Sequence, residues 1–157
     1  MSKLYQTDPR LHERYHKTGC NFLAHLGMCQ SDVKHYLSPQ QTGMIADYLI
    51  NSGYLTYDLS MHKKTSPYAL FKETFKVLGY PNRRGEQIGQ IINGQIMLWK
   101  HVTEPFFEGV IAQLILCNGA LHFVECNRNF EVIYNPHPGN NQYRVYNYLL
   151  YHFWVKE

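Results

Sequence analysis

Along the first half of the chain apolar residues recur at three- and four-residue intervals, and along the second half they alternate or cluster in short runs. Helices are therefore expected first and strands later. Phe22, Leu23, Leu26 and Cys29 follow the Thr18-Gly19 breaker at helical spacing, which predicts a helix starting at or just before Cys20, weakened slightly by Gly27. Ser38-Pro39-Gln40-Gln41 offers an N-cap serine, a proline at the first helical position and a glutamine at capping-box spacing. Ile45 and Leu49 supply that helix's buried stripe, and Gly53 its stop. Ser66-Pro67 repeats the start signal ahead of Leu70, Phe71, Phe75 and Leu78, and Gly79 with Pro81 close behind ends the helix. From Gly94 onward five β-rich runs follow, at 95–102, 110–117, 120–126, 130–134 and 143–155. Asn118-Gly119 predicts a two-residue type I′ hairpin turn, and Asn127-Arg128-Asn129 the next turn. The expected fold class is α+β, with N-terminal helices packed on a C-terminal, mainly antiparallel sheet.

The length of 157 residues suits one domain, and the expectation is a single domain over 1–157. An apolar fraction of 45% is too high for a disordered chain, and the longest apolar run, 110–117, is broken by Gln113. A soluble protein with no membrane partner is expected. Fifteen basic against twelve acidic side chains leave +3, too small an excess to select nucleic acid or an acidic substrate. Thirteen Tyr and eight Phe suit half-buried sheet surfaces and peptide-binding clefts alike. The start, Met-Ser-Lys-Leu-Tyr-Gln-Thr-Asp, has no apolar segment behind a basic one, so a cytoplasmic location is expected. Cys20, Cys29, Cys117 and Cys126 form no Cys-x-x-Cys pair, which argues against a zinc ribbon and a dense disulfide framework.

Among the four cysteines, Cys20 carries the chemical signal. At the start of a helix, unpaired backbone N–H groups and the macrodipole favour a thiolate, and the residue's own N–H is available to an oxyanion. Cys117 and Cys126 fall within strand patterns and Cys29 at the end of a helical stripe, where a packed thiol is the ordinary fate. A cysteine nucleophile needs a base, and the base needs a group that orients it. His122, in Ala-Leu-His-Phe-Val-Glu, alternates with Leu121 and Phe123 and so lies on the opposite face of its strand. Asn135 leaves the next run, followed by Pro-His-Pro-Gly, and hairpin pairing brings it back beside His122. Taken alone, His122 reads as one structural histidine among nine and Asn135 as a turn residue.

Thr-Gly-Cys-Asn-Phe-Leu-Ala at 18–24, Leu-His-Phe-Val-Glu at 121–125 and Val-Ile-Tyr-Asn-Pro-His-Pro-Gly at 132–139 resemble, in order and spacing, three blocks of the papain-like cysteine peptidases. The resemblance is to the bacteriocin leader-peptidase-like branch, also called double-glycine peptidase-like. It implies a papain-like fold, a peptide or protein substrate, no cofactor and no metal, with Cys20 as nucleophile, His122 as general base and acid, and Asn135 orienting His122. The family's glutamine shortly before the nucleophile is not matched, since Glu13, Arg14, Tyr15, His16 and Lys17 stand there, and Asn21 replaces the usual glycine. His16, Lys17 or a backbone N–H are the candidate substitutes for that oxyanion donor.

Three rival readings accompany this one. His12, His16 and Cys20, spaced by four, would align as zinc ligands on an unbroken helix, with His25 or Cys29 as a fourth. The stretch 62–100 holds Lys63, Lys64, Lys72, Lys76, Arg83, Arg84 and Lys100 against Glu73 and Glu86, and two capped helices in or before it would suit a helix-turn-helix nucleic-acid binder. A solvated face is the preferred account of that charge. The third rival keeps the papain-like fold without turnover, as a domain that binds a peptide or partner protein through its aromatic cleft. Deamidation or acyl transfer would use the same thioester chemistry as peptide cleavage.

Overall fold

The computed structural model describes residues 3–99, 107–139 and 142–157. Within these residues four helices precede a six-stranded sheet: α1 (Arg14–Thr18), α2 (Cys20–Val33), α3 (Pro39–Asn51) and α4 (Pro67–Leu78). The strands are β1 (Arg83–Ile92), β2 (Gln95–Leu98), β3 (Gly109–Leu116), β4 (Leu121–Cys126), β5 (Val132–Tyr134) and β6 (Tyr143–Val155). They lie in the order β2-β1-β6-β3-β4-β5, and every neighbouring pair is antiparallel. The coarse α+β class expected from the sequence is the class observed.

The capping chemistry acts as the sequence implies. Ser38 Oγ accepts the Gln41 N–H at 3.1 Å while Gln41 Oε1 accepts the Ser38 N–H at 3.0 Å, closing a capping box. Ser66 Oγ accepts the Ala69 N–H, and Gly79, at φ +98°, stops α4 in the left-handed conformation.

Two expectations are corrected. β1 lies before Gly94 and forms the long ladder with β6, although Gly85, Gly89 and its charged start weaken the strand pattern. The 118–119 turn is a three-residue loop, not a two-residue type I′ turn: Leu116 N–H bonds Ala120 O, Gly119 N–H bonds Leu116 O, and Gly119, unlike Asn118, has positive φ. The 127–131 turn repeats this pattern with Phe130 at φ +66°, a conformation costly for a bulky residue, its ring packed on Phe107 and Tyr148. Of the strand expected at 95–102, residues 100–102 lie outside the described residues.

Both faces of the sheet are covered. On one face Ile111, Tyr151 and Phe153 meet Phe22, Phe71 and Phe75 of the helical layer, with Phe71 edge-on to Tyr151 and Phe153 at ring distances of 5.4 Å. On the other, Ile88, Val110, Leu114, Val124 and Leu150 form a second cluster closed by Phe107. α2 packs closely on β4 and β5 because Gly27 has no side chain: a Cβ there would sit 2.7 Å from Glu125 Oε1 and 2.9 Å from the Tyr134 ring. That close approach places the start of α2 at the start of β4. Among the described residues no helix is long and apolar enough to cross a membrane.

Candidate active site

Cys20 opens α2 and is buried. Gly19 before it is right-handed, at φ −75°, and its N–H bonds Tyr15 O, so the expected breaker is only a one-residue interruption between α1 and α2. The thiol lies against the backbone N–H of Phe123, and the N–H groups of Asn21 and of Cys20 itself also favour its anion. Burial is the larger effect and raises the Cys20 thiol above its ordinary value of 9.0. The lowered pKa expected from a helix N-terminus is therefore not the resting condition.

Phe123 turns its side chain toward the helical core, and its peptide N–H is the one that joins it to His122. His122, the second residue of β4, is buried on the opposite face, registered against Leu114. Its Nε2 lies 2.7 Å from Asn135 Oδ1. The same Asn135 oxygen accepts the His137 N–H at 3.0 Å, which identifies it as the oxygen and makes imidazole Nε2 the donor. The proton therefore resides on Nε2, and Nδ1 carries the free lone pair. Burial lowers the His122 pKa below its ordinary 6.5, opposed by the bond to Asn135, while His137 nearby lowers it further. A raised thiol beside a strand that carries a lowered imidazole means both groups are neutral at pH 7.

The structure thus brings His122 and Asn135 into direct contact and places Cys20 against the peptide that links His122 to Phe123, with no hydrogen bond between the thiol and the imidazole, which lies on the other face of the strand. One buried polar residue at this end of the molecule was missed from the sequence. Gln6, 3% exposed, donates its Nε2 N–H to His16 O at 3.0 Å, and its backbone N–H bonds Pro136 O at 2.7 Å. It bridges the turn of helix before Cys20 and the residue after Asn135, and its separation of fourteen positions from Cys20 leaves no local signal in the sequence. The His16 ring, a suggested oxyanion donor, instead lies 3.2 Å from Asp8 O, and the side chain of Lys17 lies outside the described residues.

The rival constellations are not assembled. Among the described residues no group of three His, Cys, Asp or Glu is arranged to hold a metal ion, and His12 is exposed with its Nδ1 accepting the Arg14 N–H. His25 is buried between Asn21 O, 2.8 Å from Nδ1, and Tyr151 Oη, 3.2 Å from Nε2. The basic stretch is dispersed: Arg83 grips Asp32 through Nε and Nη2 at 2.6 and 2.8 Å, Arg84 is buried with Nη1 on two backbone carbonyls, and Lys76 pairs with Glu73. Arg83 and Arg84 belong to β1, and α3 and α4 are separated by fifteen residues that contain a Leu55–Met61 bridge, which is not the short turn of a helix-turn-helix. Lys100 lies outside the described residues.

Compared with protein-family models, curated proteins and solved structures, the chain matches none.

Proposed function

We propose that this protein is a papain-like cysteine hydrolase that cleaves a peptide or isopeptide bond through Cys20, His122 and Asn135. The observation that carries the reading is the His122–Asn135 pair at 2.7 Å, whose geometry fixes the imidazole tautomer, next to a strand peptide whose N–H favours the Cys20 anion. With the proton on Nε2, Nδ1 is the atom that takes the thiol proton as sulfur attacks the substrate carbonyl. The tetrahedral oxyanion forms at the start of α2, where the Cys20 N–H is one donor and the Gln6 carboxamide is the second candidate. Collapse breaks the C–N bond, and the leaving amine takes its proton from His122. Water then attacks the thioester, His122 accepts its proton, and the acid departs as the thiol is restored. Because both groups rest neutral, the proton moves during attack and no preformed ion pair is needed.

The test is acylation by an activated ester or capture by a peptide aldehyde, with the modified residue mapped by mass spectrometry. Cys20→Ala and His122→Ala should abolish the reaction, and activity should persist in the presence of chelators. Retention of full Cys20 reactivity in His122→Ala would overturn the assignment. The buried, raised thiol favours one runner-up, a domain of the same fold that binds a peptide or protein partner without turnover. It predicts binding of peptide aldehydes at most weakly and no acyl-enzyme.

A further inference from the structure

The two edges of the sheet are built differently. β5 is blunted: it is three residues long, its pairing with β4 shifts register between Glu125 and Cys126, and Pro136 follows closely. β2, at the other edge, carries none of these devices. Gln95–Leu98 pair with β1 in unbroken register, and Gln95-Ile96-Met97-Leu98-Trp99 holds no charge and no proline. Ile96, Met97 and Trp99 are 53%, 49% and 57% exposed, and Leu98 37%. Four consecutive exposed apolar residues on an unpaired strand form a surface that either acquires a partner or aggregates.

The turn before β2 fixes which of its backbone groups are spare. Asn93 and Gly94 both have positive φ, 51° and 75°, which makes the β1–β2 connection a two-residue type I′ turn with Ile92 opposite Gln95. In such a hairpin the residues flanking the turn exchange hydrogen bonds, and bonded and unbonded positions then alternate. Gln95 and Met97 therefore turn their N–H and C=O groups toward β1, and the Trp99 N–H, bonding Ile88 O at 2.7 Å, keeps that parity. Ile96 and Leu98 present theirs outward.

These outward groups are self-complementary. A two-fold axis through Met97, perpendicular to the sheet, sets Ile96 of one copy opposite Leu98 of the other, and each such pair exchanges two N–H···O=C bonds, so every outward group of β2 is used. Side chains keep their faces across the axis: Ile96 meets Leu98 on the face that holds Ile91 and the second core, and Met97 meets Met97 on the other. No like charges come opposite one another, because the strand has none. The remainder of this edge, the start of β1, carries Arg83, Arg84 and Glu86, so the apolar length ends where charge begins. The same groups could take a peptide, but β4 lies four strand spacings from β2, roughly 19 Å, and a substrate strand added there would meet neither Cys20 nor His122.

We propose that β2 is the interface of a two-fold homodimer, in which antiparallel β2–β2 pairing joins two six-stranded sheets into one continuous sheet. The proposal is independent of the hydrolase reading.

Sedimentation velocity on the full chain, across the micromolar range, should show a monomer–dimer equilibrium and nothing larger, because an isologous pairing closes on itself. Met97→Lys sets two like charges against each other on the axis and should weaken the dimer roughly tenfold or more. Met97→Glu should do the same, and mixing the two variants should restore a dimer, which also shows that both fold. The register is read by cysteines in a Cys117→Ser background, since Cys117 is exposed. Met97→Cys puts two thiols on a non-hydrogen-bonded pair, about 4.5 Å apart at Cα, and should oxidise to a cross-linked dimer, whereas Gln95→Cys separates them by about 14 Å along the strands and should not. The proposal is overturned if the wild type is monomeric throughout or assembles beyond a dimer, if Met97→Lys associates as tightly as the wild type, or if Gln95→Cys cross-links as readily as Met97→Cys. A monomer that instead binds a free Gln-Ile-Met-Leu-Trp peptide also overturns it, and assigns the edge to an extended peptide.

Discussion

A neutral cysteine and a neutral histidine must exchange a proton during attack, so the protonation state of His122 governs the rate at low pH. Because burial holds its pKa below 6.5, kcat/KM should rise with pH through a midpoint below 6.5 and then level. In His122→Ala only the intrinsic thiolate remains reactive, and alkylation of Cys20 should climb with pH through a value above 9.0. Asn135→Asp adds a negative charge beside the ring and should move the acid limb upward, whereas Asn135→Ala should leave a measurable fraction of the activity and cost about 1–3 kcal/mol, since it orphans a buried N–H. Labelling experiments need Cys117→Ser, because Cys117 is solvent-exposed and competes for any small electrophile. At this scale the contact of His122 with Asn135 was legible in the sequence, since strand alternation and a hairpin turn fix it. The raised Cys20 pKa was not, because burial is set by how α2 seats on β4, and neither was Gln6, whose contacts at residues 16 and 136 are both distant in the chain.

Each helix of the layer is defined by a few side chains, and two of these set its stability and its seating. Ser38→Ala removes half of the capping box at α3 and should cost about 1 kcal/mol in a denaturant titration, without changing the reactivity of Cys20. Gly27→Ala should behave differently. The added methyl gains up to about 1 kcal/mol of helix propensity but collides with Glu125 and Tyr134, for a net loss of about 1–2 kcal/mol. It also lifts α2 off β4, so Cys20 loses its contact with the Phe123 N–H and acylation should fall more than the loss of stability accounts for. Caps and stop glycines announced α3 and α4 because they are local chemistry, and β6 was found at its observed bounds, Tyr143–Val155, because its aromatic and β-branched residues are continuous. β1 was hidden by its glycines: Gly85 faces the Phe153 ring, and Gly89 the Met97 carbonyl and Leu98, so its pattern depends on residues far along the chain.

Over the whole molecule, the N-terminal segment ties the helical layer to the end of the sheet that carries Asn135. Lys3 pairs with Glu125 at 3.2 Å, the Tyr134 hydroxyl donates to Leu4 O, and Gln6 reaches both His16 and Pro136. Beneath the site, His25 is fully buried between α2 and β6, and burial lowers its pKa to about 4. The unfolded chain therefore binds a proton that the folded chain refuses between the ordinary value of 6.5 and about 4. Stability should be unaffected by His25 above 6.5 and fall as pH drops through that window, by on the order of 3 kcal/mol, as read from denaturant midpoints in a pH series. A helical layer on an antiparallel sheet was legible from the change of hydrophobic period. The strand order, the second core behind the sheet and the N-terminal tie were not, because each is a pairing between segments that periodicity describes only one at a time. Whether Cys20 acts with His122 is decided most directly by the rate at which an activated ester acylates Cys20 at pH 7, in a Cys117→Ser background with and without His122→Ala. A mapped acyl group on Cys20 is expected with His122 present, and at least a hundredfold slower reaction without it, at the lower end of what a positioned base supplies. Equal rates in the two proteins, or no acyl group on Cys20 in either, would contradict the pairing of the two residues.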